Sequence, residues 1–248
     1  MLEVEKQDIF KSTLASFNRV YAYITQVCRL FDKDIHRFSI YSKFLYTILS
    51  SAIGALTNPN KLQKTFKSVN RSKITATTIT KYIEYLEDAF LIEEAVRYDI
   101  KGKSYIGTPL KYYFMDMGLR NARINYRQIE ITYSMENVIY NELRMRGFSV
   151  DVGNLTIVEN GKDGKAVKKQ LEVDFICNKG SKKYYIQSAY QLGTEEKLAQ
   201  EIRPFLKIND SFKKIVITSD TPKPCYTDEG ILMMNVYDFL LIPEMIDL

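Results

Sequence analysis

The sequence is short of the residues that most often carry covalent chemistry. It has one histidine, His36, in 248 residues, and three cysteines, Cys28, Cys177 and Cys225, with no C-x-x-C pair among them. A lone histidine counts against a Ser-His-Asp or Cys-His site, and the cysteine spacing excludes a structural zinc. Widely separated cysteines are most simply reduced thiols, which predicts a cytoplasmic protein. No long apolar run is present: the least charged stretch, 44–56, falls far short of the ~20 residues a membrane-spanning helix needs. The first ten residues alternate charged and apolar types, without the apolar core of a signal peptide. There is no internal repeat and no low-complexity tract. A P-loop is missing too. Gly102-Lys103-Ser104 ends like one, but Arg97 stands where the leading glycine belongs, and an extended run follows rather than a helix. Gly161 to Lys165 fails on spacing in the same way.

What is present is ordinary for a globular chain. Hydrophobic residues make up 46% and charged residues 26%, enough to build a proper core over most of the length. The net charge of +5 is mildly basic and compatible with a polyanionic partner. It is unevenly placed: residues 60–125 hold twelve Lys or Arg against seven Asp or Glu, an excess equal to that of the whole chain.

Residues 1–35 carry apolar side chains at three- and four-residue steps, the pattern of an amphipathic helix. An apolar helix over 41–56 should end near Gly54, and Asn58-Pro59 offers a cap and first turn for a short helix over 61–67. A polar turn at 69–72 leads to a further helix from Thr77 to Phe90. Extended segments over 91–98 and 105–115, joined at Lys101-Gly102-Lys103, read as a β-hairpin. Helix, short helix, turn, helix and hairpin together resemble a winged helix-turn-helix. On that reading Arg71, Lys73, Thr77, Thr78 and Lys81 lie at the start of the recognition helix. Lys101 and Lys103 form the tip of the wing, placed for phosphate contacts. Winged helices also dock proteins, and Glu84, Glu87 and Asp88 make the far end of that helix acidic, so double-stranded DNA and a partner chain both remain open as ligands.

From residue 129 the pattern changes to α/β. A helix over 134–144 is stopped by Gly147, a strand over 148–158 follows, and 159–170 reads as a lysine- and glycine-rich surface loop. Leu171, Val173 and Phe175 then alternate with Glu172 and Asp174, and a turn at 178–181 leads into a second strand over 184–190. Period two puts Gln187 and Ala189 on one side of that strand, opposite Asp174. A helix over 195–206 and strands over 213–219 and 230–236 follow, with a closing helical turn over 237–241. The order implies an α/β layer.

The stretch Leu171 to Leu192 resembles the PD-(D/E)xK nuclease-like core in the C-terminal region of prokaryotic AAA-type P-loop ATPases. The likeness extends over residues 40–248, through Thr80-Lys81-Tyr82-Ile83-Glu84-Tyr85-Leu86-Glu87-Asp88, Arg97-Tyr98-Asp99, Lys111-Tyr112-Tyr113-Phe114-Met115-Asp116, Glu136-Asn137 and Val173-Asp174-Phe175. The resemblance implies two parts: a helical extension and winged helix over 1–125, and a restriction-endonuclease-like α/β domain over 126–248. It also implies that the chain corresponds to the C-terminal half of such a protein, with ATP bound only by an ATPase module not contained in it. Glu136 and Asp174 would match two acidic positions of a nuclease, where carboxylates hold Mg²⁺ and a lysine orients the attacking water. Here Gln187 stands for the third carboxylate and Ala189 for the lysine. That set predicts a vestigial site and a chain that binds DNA, an ATPase module or its own copies rather than cutting. A metal-dependent nuclease using Glu136 and Asp174 and a purely structural module are the alternatives.

Overall fold

The computed structural model describes residues 35–70, 73–127, 129–160 and 165–247. The helix expected over 1–35 falls almost entirely outside them. The chain divides into two compact units, one ending at Glu94 and resuming over Leu110–Glu130, the other made of Ala95–Pro109 and Ile131 onward.

The first unit is mainly helical: α1 (Ile35–Ser51), α2 (Pro59–Asn70), α3 (Ala76–Asp88) and α4 (Met117–Arg123). Helix α1 begins six residues before the expected start and ends at Ser51. Helix α2 opens as expected, with Asn58 Oδ1 accepting from Lys61 N at 2.8 Å, but runs to Asn70 through the stretch read as a turn. Thr75 caps α3 by accepting from Thr78 N at 3.2 Å, and Ile79, Tyr82, Ile83 and Leu86 line its buried face. The helix stops at Asp88 rather than Phe90 because Phe90 takes a left-handed φ of 54°. Its N–H then bonds to Glu87 O, and Leu91 N to Leu86 O, the paired closure that usually uses glycine. These helices bury Leu45, Leu49, Phe66, Ile83 and Leu86 with Ile92, Tyr112 and Phe114 from the adjoining strands.

Helix α4 has no amphipathic repeat and is not evident from the sequence. Asp116 caps it, accepting from Leu119 N at 2.9 Å, and Arg120 fixes it in place. That side chain is 1% exposed, yet it meets no carboxylate in the bonds described. Nε and Nη2 both donate to Ser50 O, and Nη1 donates to Asn121 Oδ1 at 2.9 Å.

The second unit is built on a mixed sheet. Strands β1 (Ile92–Asp99) and β2 (Ser104–Phe114) form the expected hairpin, followed by β3 (Ser149–Asn160), β4 (Ala166–Lys179), β5 (Lys182–Ala189), β6 (Lys213–Thr218), β7 (Cys225–Tyr226) and β8 (Leu232–Asn235). The eight strands lie in the order β2-β1-β3-β4-β5-β6-β8-β7. Strand β1 runs parallel to β3, so the hairpin is part of the same sheet as the C-terminal strands. The β3/β4 and β4/β5 ladders are antiparallel; β5/β6 and β6/β8 are parallel.

Two helices and a helical turn cover this sheet: α5 (Ile131–Met145), α6 (Glu195–Ile202) and α7 (Val236–Leu241). Helix α5 begins one turn earlier than the sequence suggests and is stopped by Gly147, at φ 80°, as expected. Helix α6 ends before Pro204, and a separate 3₁₀ turn covers Phe205–Lys207. On β4, Phe175 pairs with Ile186 and meets Tyr140 of α5 at 6.2 Å, whereas Tyr185 and Ala189 of β5 pack with Ile202 and Phe205. Helices α5 and α6 therefore cover opposite faces of the sheet. Gly153 sits at a register shift, where a Cβ would approach Val173 Cβ to 2.8 Å, so a larger residue would force the two strands apart.

One expectation is overturned here. Residues 159–160 and 166–170, read as part of a loop, are strand: the β3/β4 ladder continues through Ile157↔Lys169 to Asn160↔Ala166. Exposure of 166–170 removes the alternating hydrophobicity by which strands are recognised, so cross-strand hydrogen bonds alone define the extension. Short β7 carries too few residues for a sequence signal. Among the described residues no helix is long and apolar enough to cross a membrane.

Replacing Arg120 with methionine should expose the role of its guanidinium. Urea unfolding should show a lower midpoint, by about 1–3 kcal/mol, because Ser50 O is left buried without its donors. Lysine, which cannot reproduce the forked donation, should recover little of the loss.

Candidate functional site

The residues expected to meet nucleic acid fall into two groups. Arg71 lies outside the described residues. Lys73, Thr77 and Lys81 are exposed in the first unit. The Thr78 hydroxyl lies 2.9 Å from that of Thr75 and takes part in the cap of α3, a structural use the sequence did not separate from ligand contact. Lys101 and Lys103 are exposed on the β1–β2 turn in the second unit. Asp99 holds that turn, accepting from Lys101 N and Gly102 N at 3.1 Å each. The turn leads into β2, so Gly102-Lys103-Ser104 forms no phosphate cradle.

The far end of α3 is strongly acidic. Burial and the neighbouring Glu94 push the Glu87 carboxyl up to about 7, even though its Oε1 accepts from Glu94 N. Burial also raises Glu94, with Glu84 adding to the effect. A phosphate approaching α3 is repelled at this end and attracted at the other.

Asp174 and Gln187, two of the positions expected from the resemblance, meet where β4 and β5 part. Their ladder ends at Phe175↔Ile186, and Asp174 and Gln187 are the next residues out. Asp174 is 7% exposed. Its Oδ2 accepts from Ser188 N at 2.8 Å, and its own N–H reaches Gln187 Oε1 at 3.4 Å. Gln187 Nε2 donates to Glu201 Oε2 of α6 at 3.2 Å, and Glu201 pairs with Lys197 at 2.5 Å. Ala189, at the lysine position, is buried in the apolar cluster beside α6. Glu136 is buried on α5, the helix covering the other face from the one Gln187 and Ala189 share. The sequence thus brings Asp174 and Gln187 together, while the bonds that join them lead to Ser188 and Glu201.

Neither nearby lysine replaces the missing one. Lys182 pairs with Asp247 at 2.8 Å, and Lys183 lies over the rings of Tyr185 and Phe212, 4.9 and 5.1 Å from their centres. Among the described residues no group of three or more His, Cys, Asp or Glu is placed to hold one metal ion. The donors shown here are a poor set for Mg²⁺: Asp174 Oδ2 accepts a backbone N–H, the neutral Gln187 amide reaches Glu201, and Glu201 is paired with a lysine. Glu201 and the Ser188 amide are functional neighbours that sequence reasoning missed. Glu201 reads in the sequence only as a helical residue four after Lys197.

A second concavity, of about 470 Å³, lies at the carboxyl ends of β5 and β6, lined by Ser134, Val138, Gln191, Ser219, Asp220 and Tyr237 among others. Asp220 ties its rim, accepting from Leu192 N at 2.9 Å and Gly193 N at 3.3 Å. Those bonds and the Thr218 hydroxyl hold its carboxyl below the usual range against the opposing effect of burial.

Residues 15–130 match the model of a domain of unknown function, DUF8612. The chain is similar to an uncharacterized protein of Haemophilus influenzae, 36% identical over 199 residues, which covers 80% of this chain and 45% of that one. It is also similar to uncharacterized protein MJ1544 of Methanocaldococcus jannaschii, 27% identical over 241 residues, covering 95% of this chain and 48% of that one. The chain therefore spans less than half the length of the curated relatives it matches. Among solved structures, protein VC1899 from Vibrio cholerae aligns over 94% of this chain and 54% of its own at 8% identity. The TM-score is 0.26, a likeness too slight to carry an argument about the fold.

Two measurements check this geometry. Asp174→Ala should lower stability by about 1–3 kcal/mol in urea unfolding, because the Ser188 N–H loses its acceptor; Asp174→Asn, which keeps an acceptor oxygen, should lose less. The raised Glu87 carboxyl binds its proton more tightly in the folded chain than in the unfolded one, whose reference value is 4.5. Stability should therefore fall as pH rises from about 4.5 to about 7, and Glu87→Gln should flatten thermal-melt profiles in that window.

Proposed function

We propose that this chain is a non-catalytic DNA-binding module, of the kind that forms the C-terminal part of AAA-type P-loop ATPases. In this reading α1 to α3 and the β1–β2 hairpin act as a winged helix. The second unit is a PD-(D/E)xK-like domain that has lost its chemistry. The observation that carries the non-catalytic reading is the set of bonds at the split between β4 and β5. Asp174, Gln187 and Glu201 are satisfied by Ser188 N, by one another and by Lys197, with Ala189 where a lysine would act. The order α5, β3, β4, β5, α6, β6, with β3 to β5 antiparallel and β6 parallel to β5, agrees with the same reading.

DNA as the ligand is supported by Lys73, Lys81, Lys101 and Lys103, all exposed and none within ion-pair distance of a described carboxylate. Unpaired exposed lysines are available to displace counterions from a duplex, and the acidic end of α3 directs contact toward its start. The module should bind duplex DNA with an affinity that falls steeply with salt, measured by fluorescence anisotropy. Lys73→Glu with Lys81→Glu should weaken binding about tenfold or more. Incubation of duplex with the protein and Mg²⁺ or Mn²⁺ should give no cleavage. Salt-independent or absent binding would remove DNA as the ligand, and metal-dependent cutting lost in Asp174→Ala would replace the proposal with a nuclease.

A further inference from the structure

The β3/β4 ladder is much longer than the ladders beside it. Strand β5 pairs with β4 only from Phe175 to Lys179, and β1 pairs with β3 only at Val152–Asn154. Beyond those points residues 155–160 and 166–172 form a two-stranded arm with no described strand on either edge. One face of it is packed, with Leu155 and Ile157 buried in the cluster of Ile202, Phe205 and Ile208 and Lys169 opposite Ile157. Its outer part is exposed: Val158 is 63% and Val167 51% accessible, and Lys165 and Lys168 face solvent. Glu159 is the acidic side chain of that outer part among the described residues. It is bound by Arg203, and with Lys169 and Lys207 nearby its carboxyl is held below the usual range.

The β1–β2 turn leaves the sheet at the same end. Strand β1 runs parallel to β3 with Asp99 beside Asn154, and Ile100 N donates to Asn154 O at 2.9 Å. The Tyr105 hydroxyl on Asp151 further ties the hairpin to β3, and within the hairpin Tyr98 packs edge-on to Tyr105 at 5.2 Å. Lys101 and Lys103 on that turn therefore sit at the root of the arm. Lys168 lies opposite Val158, four residues along β3 from Asn154, roughly 13 Å at the rise of a strand. That span covers several backbone phosphates of a duplex.

We infer that the β3–β4 arm and the β1–β2 turn form one surface for the phosphate backbone of duplex DNA, read by Lys101, Lys103, Lys165 and Lys168. The inference rests on the DNA-binding reading above and extends the contacts of Lys101 and Lys103 along the arm. Lysines along a free strand edge also prevent edge-to-edge pairing with other chains. That role is met by charge of either sign, whereas a polyanion requires positive charge.

Charge reversal separates the two. In the full chain, Lys165→Glu with Lys168→Glu keeps the arm charged. Duplex binding should lose about 2 from the slope of log K against log salt, while light scattering shows an unchanged oligomeric state. Lys101→Glu with Lys103→Glu should lose about 2. An unchanged slope in the arm variant, with binding still weakened by Lys73→Glu and Lys81→Glu, overturns this inference and leaves the DNA-binding reading intact. Absence of duplex binding by the unaltered chain overturns both. Binding to phosphatidylserine vesicles but not to duplex overturns the assignment to nucleic acid.

Discussion

A buried carboxylate placed where two strands separate governs the second unit. A charge taken out of water is tolerated only with hydrogen bonds to replace its hydration. Asp174 obtains one from Ser188 N, across the point where β4 leaves β5. That bond holds the strands together at their last shared position and aligns Gln187 with Glu201 on α6. It also marks where β4 stops being part of a broad sheet and continues with β3 as a narrow ribbon. The polar set and the two-stranded arm are thus two consequences of one divergence.

The first unit solves a comparable problem with a cation. Arg120 is fully enclosed and is neutralised by no acid in its described bonds; two of its nitrogens share a single backbone carbonyl at the end of α1. The geometry suits guanidinium, whose planar fork delivers two parallel donors where an ammonium delivers one. A short helix with little amphipathic character is thereby positioned by one side chain. At the acidic end of α3 a single backbone N–H reaches Glu87, and the cost of burial appears as carboxyls raised above their usual range, Glu87 to about 7.

Where side chains alternate or recur, the sequence was legible. Asn58 announced its helix, Gly147 the end of another, and Lys101-Gly102-Lys103 the hairpin, because each acts within a few residues of itself. The pairing of Asp174 with Gln187 was legible for the same reason, as the turn at Gly180 fixes the register. What stayed hidden depends on distant partners. Residues 166–170 are polar on both faces and become a strand only through β3, α4 exists because Arg120 reaches Ser50, and Glu201 reaches the candidate site through tertiary packing. The left-handed Phe90 was concealed because that conformation ordinarily signals itself with glycine.

The hairpin has one more implication. Its two strands begin in one compact unit and end in the other, so the backbone passes between units at Glu94, at Pro109 and again at Glu130. No single cut separates the two. A chain cut short near residue 125 would keep β1 and β2 but deprive them of β3, leaving an open strand edge in place of a ladder. A chain begun there would lose that edge's natural cover. Dissection of this molecule by truncation is therefore expected to give sticky, poorly behaved halves, and its parts are better studied by point substitution within the intact chain.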